Sequence, residues 1–403
     1  MRIVSIAART IRWSIASHGA ARGRTERAAV VIEVRTDRGV VGLGEAAPLP
    51  GMSPDTLADA ERAAAAFAQR APFELDDREA AYALAAAIAN LATTANLATD
   101  SPAADSASTF VPSARFAIET ALLDALARDR GISLAALLGS PAGRAPALPH
   151  VGDFRSTPHG APAMSHQGRL PLAAVVDDPD AARRAFAAGI RCLKIKLAAD
   201  DDPGRAFAIA EAAPGARLRI DANRSWPRAE VANRLAALAH LPIDYVEEPC
   251  RDAHLLLSSP LPGRLALDES LLAIAPDDLR AALHSPQLAA VILKPTLLGG
   301  LSAALGLAEL ARRSGVAAIA SHALEGPVGT AACAELALAL GGDHPAGLAP
   351  HPALAGWLIE VRQLATDHVQ GIAAAGLGFA DLDLAGVVRA CGARVNDDGA
   401  DLP

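Results

Sequence analysis

Six charged side chains follow the ends of successive apolar runs in the second half of the chain. They are Lys194, Lys196, Asp221, Glu247, Asp268 and Lys294. In the run CLKIKL, the two-residue period of a β-strand places Lys194 and Lys196 on one face and the apolar residues on the other. Two neighbouring amines that are partly removed from water and lie near a cation have a lowered pKa, which suits a general base. The spacing therefore predicts a lysine pair that abstracts a proton.

The three carboxylates of this set come from three consecutive apolar runs. Oxygen ligands without His or Cys are the set that Mg²⁺ prefers, so we expect a Mg²⁺ site, with Mn²⁺ as a substitute. Its role would be to hold a substrate carboxylate and to offset the charge that grows when the adjacent carbon loses a proton. The segment YVEEP leaves open whether Glu247 or Glu248 is the ligand, because neighbours on a strand face opposite sides. The alternative is that these carboxylates pair with arginines and serve only the fold.

The elements that must position these residues begin at Leu170. Seven short runs alternate there with helical segments: LPLAAVV, RCLKIKL, LRIDA, IDYVEEP, RLALDES, LAAVILKP and VAAIASH. This alternation is typical of parallel βα units and predicts an α/β fold, a modified TIM barrel of the (β/α)7β type. The carboxyl ends of barrel strands form the active-site face, so the six residues should meet at one mouth. Lys294, on the sixth strand, would then lie across the barrel from the lysine pair.

The first third of the chain predicts a different, α+β capping domain. Residues 1–55 alternate in the manner of an antiparallel meander, and residues 56–98 and 113–130 have helical patterns. We expect the loop at residues 48–53 to close over the substrate and exclude water, with Met52 packing in this lid. The predicted domains are residues 1–145 for the cap with a low-complexity insertion at about 92–112, 146–354 for the barrel, and 355–403 for a segment that completes both.

Composition narrows the range of partners. The net charge is -8 with no basic run, which argues against nucleic acid and anionic membranes and favours a small-molecule carboxylate substrate. The four scattered cysteines lack zinc or disulfide spacing, and we expect reduced thiols, no secretion signal, no membrane span and a cytoplasmic location. The Gly299-Gly300 pair is not part of a dinucleotide fingerprint, so no dinucleotide cofactor is expected. The composition leaves the oligomeric state open.

These residues resemble the enolase superfamily, in its muconate-lactonizing enzyme subgroup, whose signature is KxK, three strand-end carboxylates and an opposing lysine. The segments GEAAPLPGMSPDT, LRIDANRSW, VEEPCRD, LDES and LKPTLLGG are similar to those of the o-succinylbenzoate synthases of menaquinone biosynthesis. The resemblance implies that Lys196 is the base, Lys194 its electrostatic neighbour and Lys294 the cationic partner of the intermediate. It also implies that Asp221, Glu247 and Asp268 bind the metal.

The activity implied by the resemblance is that of a carbon–oxygen lyase. Water would leave 2-succinyl-6-hydroxy-2,4-cyclohexadiene-1-carboxylate by syn elimination through an enediolate, giving o-succinylbenzoate. Substrate-binding or supporting positions are expected at Arg219, Asn223, Gly300, Ser321 and His322. Related enzymes of the same superfamily, N-acylamino acid racemases and dipeptide epimerases, are the alternative, because two lysines on opposite faces also suit two-base proton transfer. A non-catalytic binding barrel would require all six charged residues to be incidental.

The segment ASHALEGPVG departs from the resemblance, since o-succinylbenzoate synthases often carry a serine-rich segment there that binds the succinyl carboxylate. Ser321 is retained. His322 would either donate to the succinyl carboxylate or cap the following helix. Glu325 is expected to be an N-terminal helix residue that meets the helix dipole rather than a ligand.

Overall fold

The computed structural model describes residues 1–15, 25–94, 111–139, 168–379 and 381–391, and the side chains of these residues except 91–94. The insertion predicted at about 92–112 therefore lies almost entirely outside the described residues. None of the described helices has the length and apolar character needed to cross a membrane.

The amino-terminal region is an antiparallel sheet covered by helices, as the sequence predicted. Its strands pair in the order β3-β2-β1-β4. The elements are β1 (Arg2–Ser14), β2 (Glu26–Thr36), β3 (Val41–Ala46), α1 (Leu57–Ala68), β4 (Phe73–Glu74), α2 (Arg78–Thr94), α3 (Pro112–Asp129) and α4 (Leu134–Gly139). The single helical stretch predicted over residues 56–98 is thus interrupted by β4.

Glycines in the GLGEA segment let the sheet approach α3 closely. A Cβ atom at Gly42 or Gly44 would lie 2.1 Å from the carbonyl oxygen of Ala121 or 1.9 Å from that of Ala117, respectively. No side chain larger than hydrogen fits at either position without moving α3. The following residue, Glu45, therefore reaches the edge of the cap that contacts the barrel.

The second region is a parallel sheet of seven strands that corresponds to the seven predicted runs. Its order is β12-β11-β10-β9-β8-β7-β6. These strands are β6 (Ala173–Val175), β7 (Cys192–Lys196), β8 (Arg217–Asp221), β9 (Ile243–Glu247), β10 (Leu265–Leu267), β11 (Leu288–Leu293) and β12 (Ala317–Ala320), with β5 (Arg169–Pro171) before them. The intervening helices are α5 (Pro179–Ala187), α6 (Gly204–Ala212), α7 (Val231–Leu238), α8 (Pro276–Leu283), α9 (Pro295–Leu298), α10 (Leu301–Arg313) and α11 (Pro327–Leu340).

A short extended segment closes the barrel between β12 and β6. Ala346 forms a parallel bridge with Leu172, and Gly347 forms one with Ser321. The Gly347 N–H donates to Ala320 at 2.9 Å, and the Ala346 N–H donates to Pro171 at 2.8 Å. This segment, residues 346–347, is the eighth position of the predicted (β/α)7β barrel.

The chain after the barrel returns to the cap. The last elements are β13 (His368–Gln370) and α12 (Leu384–Ala390). Strand β13 pairs with β5, and the first N–H of α12 donates to the Glu33 carboxylate on β2 at 2.7 Å. The Trp13 indole on β1 donates to the Ala353 carbonyl at 2.8 Å. These contacts fix the cap over the carboxyl ends of the barrel strands.

Candidate active site

The barrel brings the six charged residues to the positions that the sequence predicted. Lys194 and Lys196 lie on β7, while Asp221 and Glu247 are the last residues of β8 and β9. Asp268 directly follows β10, and Lys294 directly follows β11. Counting the closing segment, β7 and β11 are four of eight positions apart, so the lysines approach the barrel mouth from opposite sides.

The lysines are the immediate counterions of the carboxylates. The Lys194 Nζ atom lies 3.0 Å from Asp221 Oδ2 and 2.8 Å from Glu247 Oε1. Lys294 forms an ion pair with Asp268. The three carboxylates are nearly inaccessible, with 3% of Asp221, 1% of Glu247 and 4% of Asp268 exposed. Each pair is therefore a charge interaction held largely out of water, where removal of one partner is costly.

The pKa of Lys194 differs from the sequence expectation. Burial lowers the pKa of this amine, but the Asp221, Glu247 and Asp268 carboxylates outweigh burial and raise it well above its usual value. For Lys294, burial is likewise outweighed, chiefly by Asp268, and the pKa is raised. The sequence expectation of a lowered pKa counted repulsion, burial and a nearby cation, whereas in this arrangement three carboxylates within reach determine the direction.

Burial and the lysine charges also act in opposite directions on the pKa values of the three carboxyl groups. Burial raises the pKa of Glu247 to about 8 and that of Asp268 to about 6, against the opposing lysine charges. For Asp221, burial is outweighed by Lys194, Lys196 and Lys294, and its pKa is lowered. Strong shifts of this kind, in a cleft and with named charge partners, are typical of functional sites.

The donor set has the chemistry for Mg²⁺. Within the described part of the chain, no three His, Cys, Asp or Glu side chains are grouped to hold a metal ion, and Lys194 and Lys294 pair with Asp221 and Asp268. Asp221 and Glu247 nevertheless share the Lys194 Nζ atom, which places their oxygens side by side. Buried carboxylate oxygens with no softer donor among them fit a hard divalent cation.

Glu247, not Glu248, faces the cavity. Glu248 has a φ of 42°, which turns its side chain away from the strand face of its neighbour. Its carboxylate accepts the backbone N–H groups of Asp268 at 2.9 Å and Ser270 at 2.8 Å, and the Arg224 Nε–H at 3.0 Å. Glu248 thus orders the loop that carries Asp268, whereas Glu247 lines the cavity.

Four of the five predicted supporting residues line the cavity. Arg219 donates to the Pro345 carbonyl at 2.7 Å beneath the site, and the Asn223 N–H donates to Asp221 Oδ1 at 3.0 Å. The Ser321 hydroxyl donates to the Gly347 carbonyl at 3.1 Å, and His322 also lies on the wall. Gly300 is not among the lining residues. Its position has a φ of 117° and abuts the Glu119 carboxylate, where a Cβ atom would lie 2.3 Å from Oε2.

The cavity has a volume of about 310 Å³, which is in the range of small-ligand sites. The cap contributes Leu49, Gly51 and Met52, so the loop predicted to close over the substrate does reach the site. The barrel interior contributes apolar surface from Tyr245 and Ile292. The cavity is thus charged where the strands end and apolar elsewhere.

Several residues at the site were not predicted. His351 lines the cavity, but it follows the closing segment, which carries no strand pattern.

Two charged residues of the cap bond to the loop between β12 and α11. Glu45 accepts the Gly326 and Gly329 N–H groups at 2.5 and 2.9 Å at the start of α11. Arg27 donates to the Leu324 carbonyl at 2.9 Å and to the Pro48 carbonyl at 2.7 Å. The GLGEA glycines, which imply close packing, were the available signal for Glu45.

Glu325 does not line the cavity and lies just before α11 rather than within it. It accepts the Thr296 hydroxyl at 2.6 Å and the Ala323 N–H at 2.7 Å. Its carboxylate therefore orders the loop after β12, and the residue precedes the N-cap Gly326 instead of lying in the first turn of α11, where the sequence placed it.

The chain has an α+β cap over a parallel barrel, and lysines from opposite sides and three carboxylates lie at the strand ends. This combination defines a class of barrel enzymes. Residues 3–139 match the mandelate racemase/muconate lactonizing enzyme N-terminal domain, and residues 177–380 match the enolase C-terminal domain-like family. The chain therefore belongs to the enolase superfamily and is one of its enzymes.

Individual relatives carry more specific names. An o-succinylbenzoate synthase of Desulfotalea psychrophila is 30% identical over 248 residues, which cover 59% of this chain and 62% of that protein. The chain thus spans less than two thirds of that relative. An o-succinylbenzoate synthase of Mycobacterium tuberculosis is 33% identical over 247 residues, which cover 55% of this chain and 74% of the relative.

Solved structures show the shared fold. A dipeptide epimerase from Methylococcus capsulatus, complexed with Mg and the dipeptide L-Arg-D-Lys, has a TM-score of 0.71 and 24% identity. The match covers 94% of this chain and 99% of that chain.

Proposed function

We propose that this enzyme is an o-succinylbenzoate synthase, which removes water from 2-succinyl-6-hydroxy-2,4-cyclohexadiene-1-carboxylate. The observation that carries the proposal is the placement of Lys196 and Lys294 on opposite sides of one cavity whose wall includes Asp221 and Glu247. The names of the relatives that are at least 30% identical support the choice of substrate.

Lys196 is proposed as the base. Its neutral amine takes the proton from the carbon next to the substrate carboxylate, and the resulting ammonium gives that proton to the departing hydroxyl on the same face. The carbon–oxygen bond breaks, water leaves and the ring becomes aromatic. The proton is thus returned in the product water, and no outside acid is needed.

Asp221, Glu247 and Asp268 are the proposed ligands of Mg²⁺. When bound, the ion supplies positive charge to the substrate carboxylate as its neighbouring carbon is deprotonated. Lys294, released from Asp268, would lie beside the substrate face opposite Lys196 and stabilise the anion as a hydrogen-bond donor. Lys194 would keep a positive charge next to the carboxylates.

The cap residues exclude water from this chemistry. Leu49 and Met52 cover the cavity from the cap, and Arg27 ties their loop to the loop after β12 through the Pro48 and Leu324 carbonyls. A closed, low-dielectric cavity strengthens the charge interactions that the lysines supply.

The second candidate is a racemase or epimerase of N-acylamino acids or dipeptides. The position of Lys294 favours it, because a lysine on each face suits removal of a proton on one side and its return on the other. The shared fold with dipeptide epimerases is compatible with this candidate, whereas the names of the relatives favour dehydration.

A substrate comparison tests the proposal. The wild-type enzyme is assayed with Mg²⁺ or with EDTA for loss of the cyclohexadiene absorbance, and for α-proton exchange in D₂O on N-acylamino acids and dipeptides. Metal-dependent dehydration at a kcat/KM above that of every exchange reaction is expected. Exchange without dehydration would assign the enzyme to the racemase class instead.

A further inference from the structure

A second cavity lies in the cap, on residues that take no part in the barrel mouth. Its volume is about 490 Å³, and its walls come from β2, the turn between β2 and β3, the last turn of α3 and the chain just before α12. The described residues that line it are all different from those that line the cavity at the barrel mouth. This cap cavity includes Arg35, Val40, Val41, Arg128, Leu382 and Asp383.

Arg128 is the most enclosed charged residue of the cap cavity. Only 10% of its side chain is exposed, compared with 42% for Arg35 and 40% for Asp383. Its Nε–H donates to Asp124 Oδ1 at 3.0 Å, but neither terminal nitrogen donates to a described residue. Because Nη2 is enclosed by protein, a ligand in the cavity would meet the guanidinium at Nη1. Unpaired N–H groups on a buried cation are costly, and an acceptor at Nη1 reduces that cost.

Asp124 has no capacity left for the rest of this guanidinium. Its Oδ1 atom also accepts the Leu377 N–H at 2.7 Å, and its Oδ2 atom accepts the Leu43 N–H at 3.0 Å. Gly376 packs directly on the pair, since a Cβ atom there would lie 2.0 Å from Asp124 Oδ1 and 2.7 Å from Arg128 Cγ. Arg128 is therefore a donor held in place by the fold, and little side-chain entropy is lost when a ligand binds to it.

The charges around the cap cavity favour a ligand with a single negative charge. Arg35 already pairs with Glu33 at 2.5 Å and lies 3.6 Å from Asp383. Asp381 lines the same cavity. One carboxylate would add one charge beside Arg128, whereas a phosphate dianion would meet stronger repulsion from these acidic groups.

The remaining wall of the cap cavity is apolar. Val40, Val41 and Leu382 line it and are each partly exposed. Small-ligand sites typically combine such apolar walls with a few polar groups that fix the orientation of the ligand. The wall therefore suits the hydrocarbon part of a ligand whose charged end lies at Arg128.

We propose that the cap cavity binds a small monocarboxylate with an apolar body. The carboxylate accepts the Nη1–H of Arg128, and the body contacts Val40, Val41 and Leu382. A hydrogen bond between a cation and a carboxylate is stronger than one between neutral groups, so the carboxylate determines the affinity. This binding site is separate from the barrel mouth and does not depend on which reaction the enzyme catalyses there.

The test compares three probes of similar size that differ in charge. They are 4-fluorobenzoate, the neutral 4-fluorobenzamide and the dianion 4-fluorophenyl phosphate. Binding to the full-length enzyme is measured by ¹⁹F NMR titration, with EDTA present so that metal-dependent binding at the barrel mouth does not contribute. The wild type should bind 4-fluorobenzoate at least about tenfold more tightly than 4-fluorobenzamide, because only the benzoate brings a charged acceptor to Arg128.

Arg128→Met removes the donor and should reduce this preference to about threefold or less. The matched control is Arg130→Met, which removes the same charge from an exposed residue directly after α3 and should leave the preference unchanged. Circular dichroism and the thermal midpoint show whether each variant is folded.

A second pair of variants leaves the bond between Arg128 and Asp124 intact. Leu382→Glu places a carboxylate on the cavity wall and should weaken 4-fluorobenzoate by at least about tenfold through charge repulsion. Leu382→Gln has nearly the same shape without the charge and should retain the preference for 4-fluorobenzoate. This pair decides the question if Arg128→Met does not fold.

Three results would overturn the proposal. The first is a wild type that binds 4-fluorobenzamide as tightly as 4-fluorobenzoate. The second is an unchanged preference in Leu382→Glu, or in folded Arg128→Met. The third is tighter binding of 4-fluorophenyl phosphate than of 4-fluorobenzoate, which would contradict the restriction to a single negative charge.

Discussion

Two groups of buried carboxylates in this enzyme differ in what neutralises them. Where the cap meets the barrel, Glu45 and Glu119 accept backbone N–H groups at the starts of α11 and α10, and Glu119 also pairs with Arg115. At the barrel mouth, Glu247 and Asp268 form direct ion pairs with Lys194 and Lys294, respectively. We propose that the carboxylates bonded to backbone serve the fold, whereas those paired with lysines exchange these partners for a cation and a substrate.

The largest effect is expected at Lys196, which lines the cavity at the barrel mouth. Lys196→Ala removes the proposed base, and kcat for dehydration should fall by about 10⁴-fold, the upper range of general-base contributions. Stopped-flow or steady-state assays measure this loss, and the thermal midpoint should stay within a few degrees of the wild type. Turnover within tenfold of the wild type would show that another group abstracts the proton.

A buried ion pair of the first group should affect stability instead. Glu119→Gln leaves the Arg115 charge buried without its partner, which costs about 3–5 kcal/mol in the free energy of unfolding. The matched control is Glu309→Gln, which breaks the exposed Arg312–Glu309 pair and should cost less than about 1 kcal/mol. Denaturant titrations of both variants provide the comparison. Equal losses of unfolding free energy in the two variants would show that the buried ion pair contributes no more to stability than the exposed one.

The pH dependence of stability tests Glu45. Burial raises the pKa of Glu45 to about 7 from its usual 4.5, so the folded state retains a proton that the unfolded state has released. The contribution of this group to stability is therefore present at low pH and is lost as the pH rises through about 7. Between pH 5 and 8, the wild type should lose about 2–3 kcal/mol more unfolding free energy than Glu45→Gln. If the unfolding free energies of the wild type and Glu45→Gln changed with pH in the same way, the raised pKa of Glu45 would be refuted.

The smallest effect is expected at the lid. Met52 contributes apolar cover from the cap, and Met52→Ala should raise KM by about three- to tenfold through lost apolar contact. The value of kcat should change less than KM, because the side chain contributes apolar cover and neither accepts nor donates a proton. A fall in kcat with unchanged KM would place Met52 in the chemical step rather than in substrate binding.

The sequence predicted strands and their ends better than it predicted charge states. The two-residue period and the chain order of the seven runs were sufficient to place Lys194, Asp221 and Glu247 at one mouth. The same period could not decide between Glu247 and Glu248, because the positive φ of Glu248 depends on hydrogen bonds from Ser270 and Asp268 in the next loop.

Contacts between distant parts of the chain were beyond the sequence pattern. His351 follows the closing segment, whose pairing with β6 and β12 involves single bridges rather than an apolar strand. Gly300 was expected among the substrate-binding or supporting positions, but it packs against Glu119, on a cap helix 181 residues earlier in the chain, and does not line the cavity. The positions of such side chains depend on how the cap packs on the barrel, and the local hydrophobic pattern of the sequence carries no information about that packing.

We expect the carboxylates at the barrel mouth to be available to a cation and those where the cap meets the barrel not to be. Mn²⁺ titration monitored by electron paramagnetic resonance tests this directly in the wild type, Glu247→Gln and the junction control Glu45→Gln. One Mn²⁺ should bind per chain to the wild type and to Glu45→Gln, and affinity should fall by at least about 100-fold in Glu247→Gln. Undiminished binding by Glu247→Gln, or no binding by the wild type, would contradict the account.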